Sequence, residues 1–174
     1  MPVEQRIERL GNYVDLDRLL ALPGDAEQGR ELFLNRDGLI CRNCHRVEGQ
    51  GEGAVGPDLA GLGAKYAPAE LLDAILNPSA RINDPYITTA VQTTDGRSFL
   101  GVVTSRDDQR LRMRDAENHV VELAAADIEF VTSQPTSLMP EFLLRGLTPQ
   151  QAADLLAFLV SLKTPPAAEP ASSP

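Results

Sequence analysis

Cys41 and Cys44 are the only two cysteines of the chain, two residues separate them, and His45 follows directly. Two thiols at this spacing with an adjacent imidazole suit covalent attachment of a c-type haem: the thiols meet the two vinyl groups and the histidine ligates iron. Two other chemistries use a Cys-x-x-Cys pair. A zinc half-site needs further ligands, and His119 is the only other histidine. A redox dithiol of the thioredoxin kind wants a strand before it in a βαβ context, whereas helix signals precede this motif. The residues therefore read as one covalent haem c on Cys41 and Cys44, with His45 on the iron.

The opposite axial position decides whether the iron passes electrons or binds small molecules. Met113, Met139, His119 and no protein ligand are the alternatives. Met139 lies in Ser137-Leu138-Met139-Pro140, where Pro140 disfavours helix at the residue before it, so this stretch has the character of a ligand loop. Met113 alternates with charged residues in Leu111-Arg112-Met113-Arg114 and reads better as a side chain packed on a strand. His119 follows Asn118 at a strand start and reads as a surface or edge residue. A ligating histidine donates its second ring N–H to an acceptor that fixes its orientation, and the carbonyls around Gly56-Pro57 can serve. For the haem propionates, Lys65, Tyr66, Arg81 and Tyr86 are nearby candidates, though residues of these types are more often surface or packing residues.

The elements that must position these groups are legible in outline. Residues 1–24 are charged and mixed, with apolar positions spaced for a short helix or two, and read as an extension or linker. Asp25 with Gln28 three residues on starts a helix that carries Gly29, Leu32 and Phe33 on one face and breaks at Asp37-Gly38. The stretch from Gly49 to Gly63 is too glycine-rich for a long element and must wrap around something. Pro68 begins a second helix that Asn77-Pro78 ends. From Tyr86 the period changes to alternation, with a hairpin signal at Asp95-Gly96 and short β-prone runs to Thr132. Thr148-Pro149-Gln150-Gln151 then starts an amphipathic helix ending near Lys163. The domain plan is a haem domain built from residues 25–84 and 134–163, an inserted β subdomain at 85–133, and a disordered Pro/Ala/Ser tail at 164–174.

The chain has 174 residues and a formal charge of −9, which argues against a nucleic-acid partner, because a phosphate backbone needs clustered Lys and Arg. No apolar run approaches the roughly 20 residues of a membrane-spanning helix. The start Met1-Pro2-Val3-Glu4 carries no export signal, yet c-type haem is attached on the exported side of a membrane. The expectation is therefore a mature or excised segment of a periplasmic or otherwise exported protein. An acidic surface suits a redox partner with a basic patch and salt-sensitive association, unless the partner is tethered.

Gly29-Arg30-x-Leu32-Phe33, Cys41-x-x-Cys44-His45, Gly56-Pro57-Asp58-Leu59, Met139-Pro140 and the amphipathic last helix together resemble class I cytochromes c. The runs Gly56 to Gly63, Leu71-Leu72-Asp73-Ala74-Ile75-Leu76-Asn77-Pro78-Ser79, Asp95-Gly96 and Ser137 to Pro140 resemble, more specifically, the PVC-type haem-binding CxxCH domain. The resemblance covers residues 25 to 163. It implies a mainly α cytochrome c fold with an inserted small antiparallel β-meander, α+β in class, whose first and last helices cross with Gly29 and Phe33 against Leu155 and Phe158. It also implies that His45 hydrogen-bonds the Pro57 carbonyl, that Met139 closes the iron from the other side, and that a redox protein or fused dehydrogenase domain is the partner. The function implied is electron transfer rather than catalysis. The alternative is a haem-based binder or sensor of CO or NO in which Met139 is displaceable. The β insertion, which no minimal cytochrome c contains, could act there as a lever.

Overall fold

The computed structural model describes residues 8–34, 40–51, 53 and 55–164. The expected helix break at Asp37-Gly38 and all but the first residue of the expected disordered tail lie outside them. Among the described residues, six α-helices and a five-stranded antiparallel sheet give a mixed α and β fold. The helices are α1 (Leu16–Ala21), α2 (Ala26–Leu34), α3 (Cys41–Cys44), α4 (Leu62–Lys65), α5 (Pro68–Leu76) and α6 (Pro149–Ser161). Between residues 8 and 24, α1 is the one helix, capped by Asp15, whose carboxylate accepts from the Arg18 N–H.

Local chemistry explains where the long helices start. Asp25 Oδ1 accepts from the N–H groups of Glu27 at 2.9 Å and Gln28 at 3.2 Å, satisfying two donors that no helical carbonyl can reach. At α6, Thr148 Oγ1 accepts from the Gln151 N–H while Gln151 Oε1 accepts from the Thr148 N–H, a reciprocal box with Pro149 at the first helical position. Glu70 closes the start of α5 by accepting from the Ala67 N–H at 2.8 Å.

Helices α2 and α6 cross at Gly29, where the backbones come so close that a Cβ would lie 1.9 Å from the Asp154 carbonyl oxygen. The rings of Phe33 and Phe158 meet beside this crossing with centroids 5.7 Å apart. Asp154 is a buried carboxylate of α6. Its Oδ1 accepts from the Asp25 N–H and the Gln150 side chain, both at 2.8 Å, so its burial is compensated and the start of α2 is tied to α6. Leu72 of α5, Leu144, Leu147, Leu155, Leu156 and Leu159 complete a core against which Cys41, Leu62 and Ile75 are packed.

The insertion folds around its own core. Strands β1 (Thr88–Thr93), β2 (Ser98–Arg106), β3 (Arg110–Arg114) and β4 (Val120–Ala124) run as the expected meander, but β5 (Ile128–Ser133) does not continue it. It returns to pair with β1, giving the order β4-β3-β2-β1-β5. Alternation explains the inner face: Val91 faces Phe99 and Val131 across the strands, and Met113 faces Val103 and Val121. Val91, Leu111, Met113 and Leu123 form the buried centre. Met113 is fully enclosed there at 0% exposure, where the strand pattern of its neighbours put it.

The turn between β3 and β4 touches the cysteine segment. Asn118, left-handed at φ 66° between β3 and β4, donates its amide to the Asn43 carbonyl at 3.1 Å. Arg114 holds that amide by donating to both its side-chain and main-chain oxygens.

Candidate haem site

Residues 41–44 form a single helical turn, in which His45 N–H donates to the Cys41 carbonyl at 2.9 Å. Positions three apart share a face of a helix, so the turn presents Cys41 and Cys44 to one side with His45 at its exit. This turn escaped sequence reading, since four residues have no periodicity. Arg42, between the cysteines, donates to the Leu34 carbonyl at 3.0 Å and secures the turn to the end of α2.

Both thiols are partly buried and free. Burial pushes the Cys41 thiol up to about 11, with a weaker lowering by a backbone hydrogen bond and a weaker raising by Cys44. Burial likewise raises Cys44. A redox-active dithiol needs the opposite, a thiolate stabilised by positive surroundings. Among the described residues, the one cluster of three potential metal-ligand side chains is Asp115, Glu117 and His119, which includes neither cysteine. The donor set therefore suits thioether attachment better than zinc or disulfide chemistry.

His45 is seated by two contacts. Its Nδ1 lies 2.9 Å from the Pro57 carbonyl oxygen. A carbonyl only accepts, so Nδ1 carries the proton and Nε2 presents its lone pair, the form a metal requires. Burial holds the imidazole below its ordinary pKa, with the Pro57 carbonyl opposing that shift, and so favours the neutral ring. The face of the ring rests on Gly56: a Cβ there would lie 2.6 Å from Cε1 and 2.8 Å from Nδ1. Gly56 N–H in turn donates to the Cys44 carbonyl at 3.0 Å, closing the glycine-rich loop back onto the cysteine turn. Gly-Pro was visible in the sequence as a loop former; the ring contact that makes Gly56 matter was not.

Gly56→Ala is expected to displace the His45 ring and weaken its bond to the Pro57 carbonyl, while leaving the sheet intact. Absorption spectra of the haem-loaded variant should show a partial shift toward high-spin iron at neutral pH. An unchanged low-spin spectrum would mean that the ring is not held by this contact.

Met139 is half-buried in the loop between β5 and α6. Its N–H donates to Ser137 Oγ at 3.1 Å, and the Ser137 N–H donates to Ser79 Oγ at 3.1 Å. His119 is an exposed side chain whose Nδ1 lies 3.2 Å from Asp115 Oδ2, as its reading as a surface residue anticipated. Of the propionate candidates, Lys65 sits over the Tyr66 ring at 5.0 Å. Arg81 is exposed and Tyr86 half-buried at the foot of the sheet. Sequence reading brought His45 and Pro57 together; it did not find Ser79, Asn118 or the Arg42 tie.

Residues 26–100 match the family model described as Cytochrome c. The match runs from the start of α2, through the cysteine turn, into β2. It supports a cytochrome c haem-binding domain, an electron-transfer module that carries haem c covalently on cysteines, here Cys41 and Cys44. Comparison with the curated proteins finds no match.

Proposed function

We propose that the chain is a mono-haem electron carrier of the PVC type, built on the cytochrome c domain matched over residues 26–100, in which His45 and Met139 would hold the iron. The single observation that carries this reading is the seat of His45: one ring nitrogen is committed to the Pro57 carbonyl and the other is left with a lone pair. The bound haem would supply a reversible one-electron iron couple, and methionine opposite histidine raises its potential.

Each residue has a distinct task. Cys41 and Cys44 tether the group, so that it stays through both oxidation states. His45, fixed by Gly56 and Pro57, keeps one orientation, and Met139 on its tied loop would supply the second protein donor to the iron. With His45 and Met139 both committed to holding the group, no place would be left for substrate, and the chain would serve to hold the haem near a redox partner. We assign the partner role to a redox protein or a fused dehydrogenase domain, reached on the exported side of a membrane where haem c is attached. No helix among the described residues is long and apolar enough to cross a membrane.

The ferric protein is expected to show the thioether-to-iron charge-transfer band, and the ferrous protein to bind CO slowly and incompletely. Ready CO binding by the unmodified protein would favour a sensor of small ligands instead.

A further inference from the structure

The Met139 loop and helix α5 belong to opposite ends of the chain's detour through the sheet. Ser79 precedes the insertion and Ser137 follows it, 58 residues apart, yet the Ser137 N–H donates to Ser79 Oγ at 3.1 Å in a partly buried setting. Just above this bond the sheet begins, with the Gln134 N–H on the Thr88 carbonyl at 2.7 Å. The residues on either side of Ser79 are tied to α5. The Asn77 N–H and side-chain amide both return to Asp73 of α5, at 2.8 and 2.7 Å. The Ala80 N–H closes a turn onto the Asn77 carbonyl, and Pro78 within that turn is buried. Helix α5 in turn is anchored in the core by Leu71 and Leu72.

From Ser137 the chain of bonds continues to the Met139 N–H at 3.1 Å. Pro140 follows and has no N–H of its own to fix the loop from the other side. Two serine hydroxyls, in series, thus connect the backbone of Met139 to α5 across the base of the insertion. Without them, the loop would be tied only at its two ends, to β5, a strand exposed along most of its length, and to Leu144, which is buried in the helical core.

We propose that Ser79 and Ser137 are positioning residues for Met139, holding it against the haem from a frame that does not move with the sheet. This rests on Met139 being the axial ligand. Each hydroxyl contributes one hydrogen bond of ordinary net strength, and its loss should raise the fraction of time that Met139 is off the iron by about five-fold.

The test uses the haem-loaded full chain. In Ser79→Ala and Ser137→Ala, the rate of CO entry into the ferrous protein should rise by about five-fold, and the charge-transfer band of the ferric protein should fade at lower temperature. Ser79→Thr and Ser137→Thr retain the hydroxyl and should return both readouts toward wild type. Amide exchange gives a readout independent of iron: the Ser137 N–H loses protection in Ser79→Ala, and the Met139 N–H in Ser137→Ala. If CO entry is unchanged in both alanine variants while Met139→Ala abolishes the band, the serine clamp is refuted and Met139 stands as ligand. Faster CO entry that threonine fails to reverse also overturns the clamp, because a packing defect would then be the cause. If Met139→Ala keeps the band, the ligand assignment fails, and the clamp's role with it.

Discussion

Gly29→Ala is expected to cost about 3 kcal/mol of stability, and to lower the thermal midpoint of the haem-loaded protein by roughly 10 °C. Intrinsic propensity points the other way, since alanine inside a helix is favoured over glycine by about 1 kcal/mol. Position decides the sign. The added Cβ would lie 1.9 Å from the Asp154 carbonyl oxygen, 2.5 Å from its carbon and 2.8 Å from Phe158 Cβ. Two of these three atoms are backbone, so no rotamer change relieves the contact; α2 and α6 must separate. Separation loosens the Phe33–Phe158 pair and the link from Asp154 Oδ1 to the Asp25 N–H together. Gly146 supplies the control: a Cβ there meets nothing within 4 Å, so Gly146→Ala should be neutral or slightly stabilising, by under about 1 kcal/mol. Equal midpoints for the two variants in thermal melts followed by circular dichroism would show that the crossing is not as tight as the backbone distances indicate.

The residues that announced themselves in the sequence did so through local chemistry. Asp25, Pro68 and Thr148 mark helix starts because their side chains or ring satisfy a local requirement within a few residues, and Asn77-Pro78 ends α5 for the same kind of reason. Strands β1 to β4 followed from alternation and from turns at Asp95-Gly96 and Asp115 to Asn118, all short-range signals. Strand β5 was visible as a strand but not as the neighbour of β1, because pairing across the whole insertion leaves no mark in its own residues. The same limit applies to the site. Cys41, Cys44 and His45 are contiguous and legible. The contact of Gly56 with the His45 ring, the reach of Asn118 to the Asn43 carbonyl and the bond between Ser137 and Ser79 join segments far apart in sequence through residues of common types. Such residues carry no pattern that periodicity or spacing can detect.

Met139→Ala is expected to change the electronic behaviour of the protein more than any other single replacement outside the cysteine motif. Alanine offers iron no donor, so the charge-transfer band should vanish, the ferrous form should bind CO readily, and the reduction potential should fall. Methionine favours the reduced iron over the oxidised, and each tenfold loss of that preference lowers a one-electron couple by about 59 mV; a drop on the order of 100 mV corresponds to losing somewhat under two such factors. The fold should tolerate the change, because Met139 is only half-buried and its loop is tied through the backbone N–H, which alanine retains. Met113→Ala should do the reverse. Met113 is enclosed among Val91, Leu111 and Leu123, so its removal leaves a cavity costing about 2–5 kcal/mol in the sheet, with the band and the potential untouched. The pair of variants separates ligation from packing by what each leaves unchanged. Loss of the band in Met113→Ala with its retention in Met139→Ala would require the sheet to open and present its centre to the iron. Alternation buries Met113 on the inner face, against Val103 and Val121, and that packing would have to be broken before the thioether could reach any ligand outside the sheet.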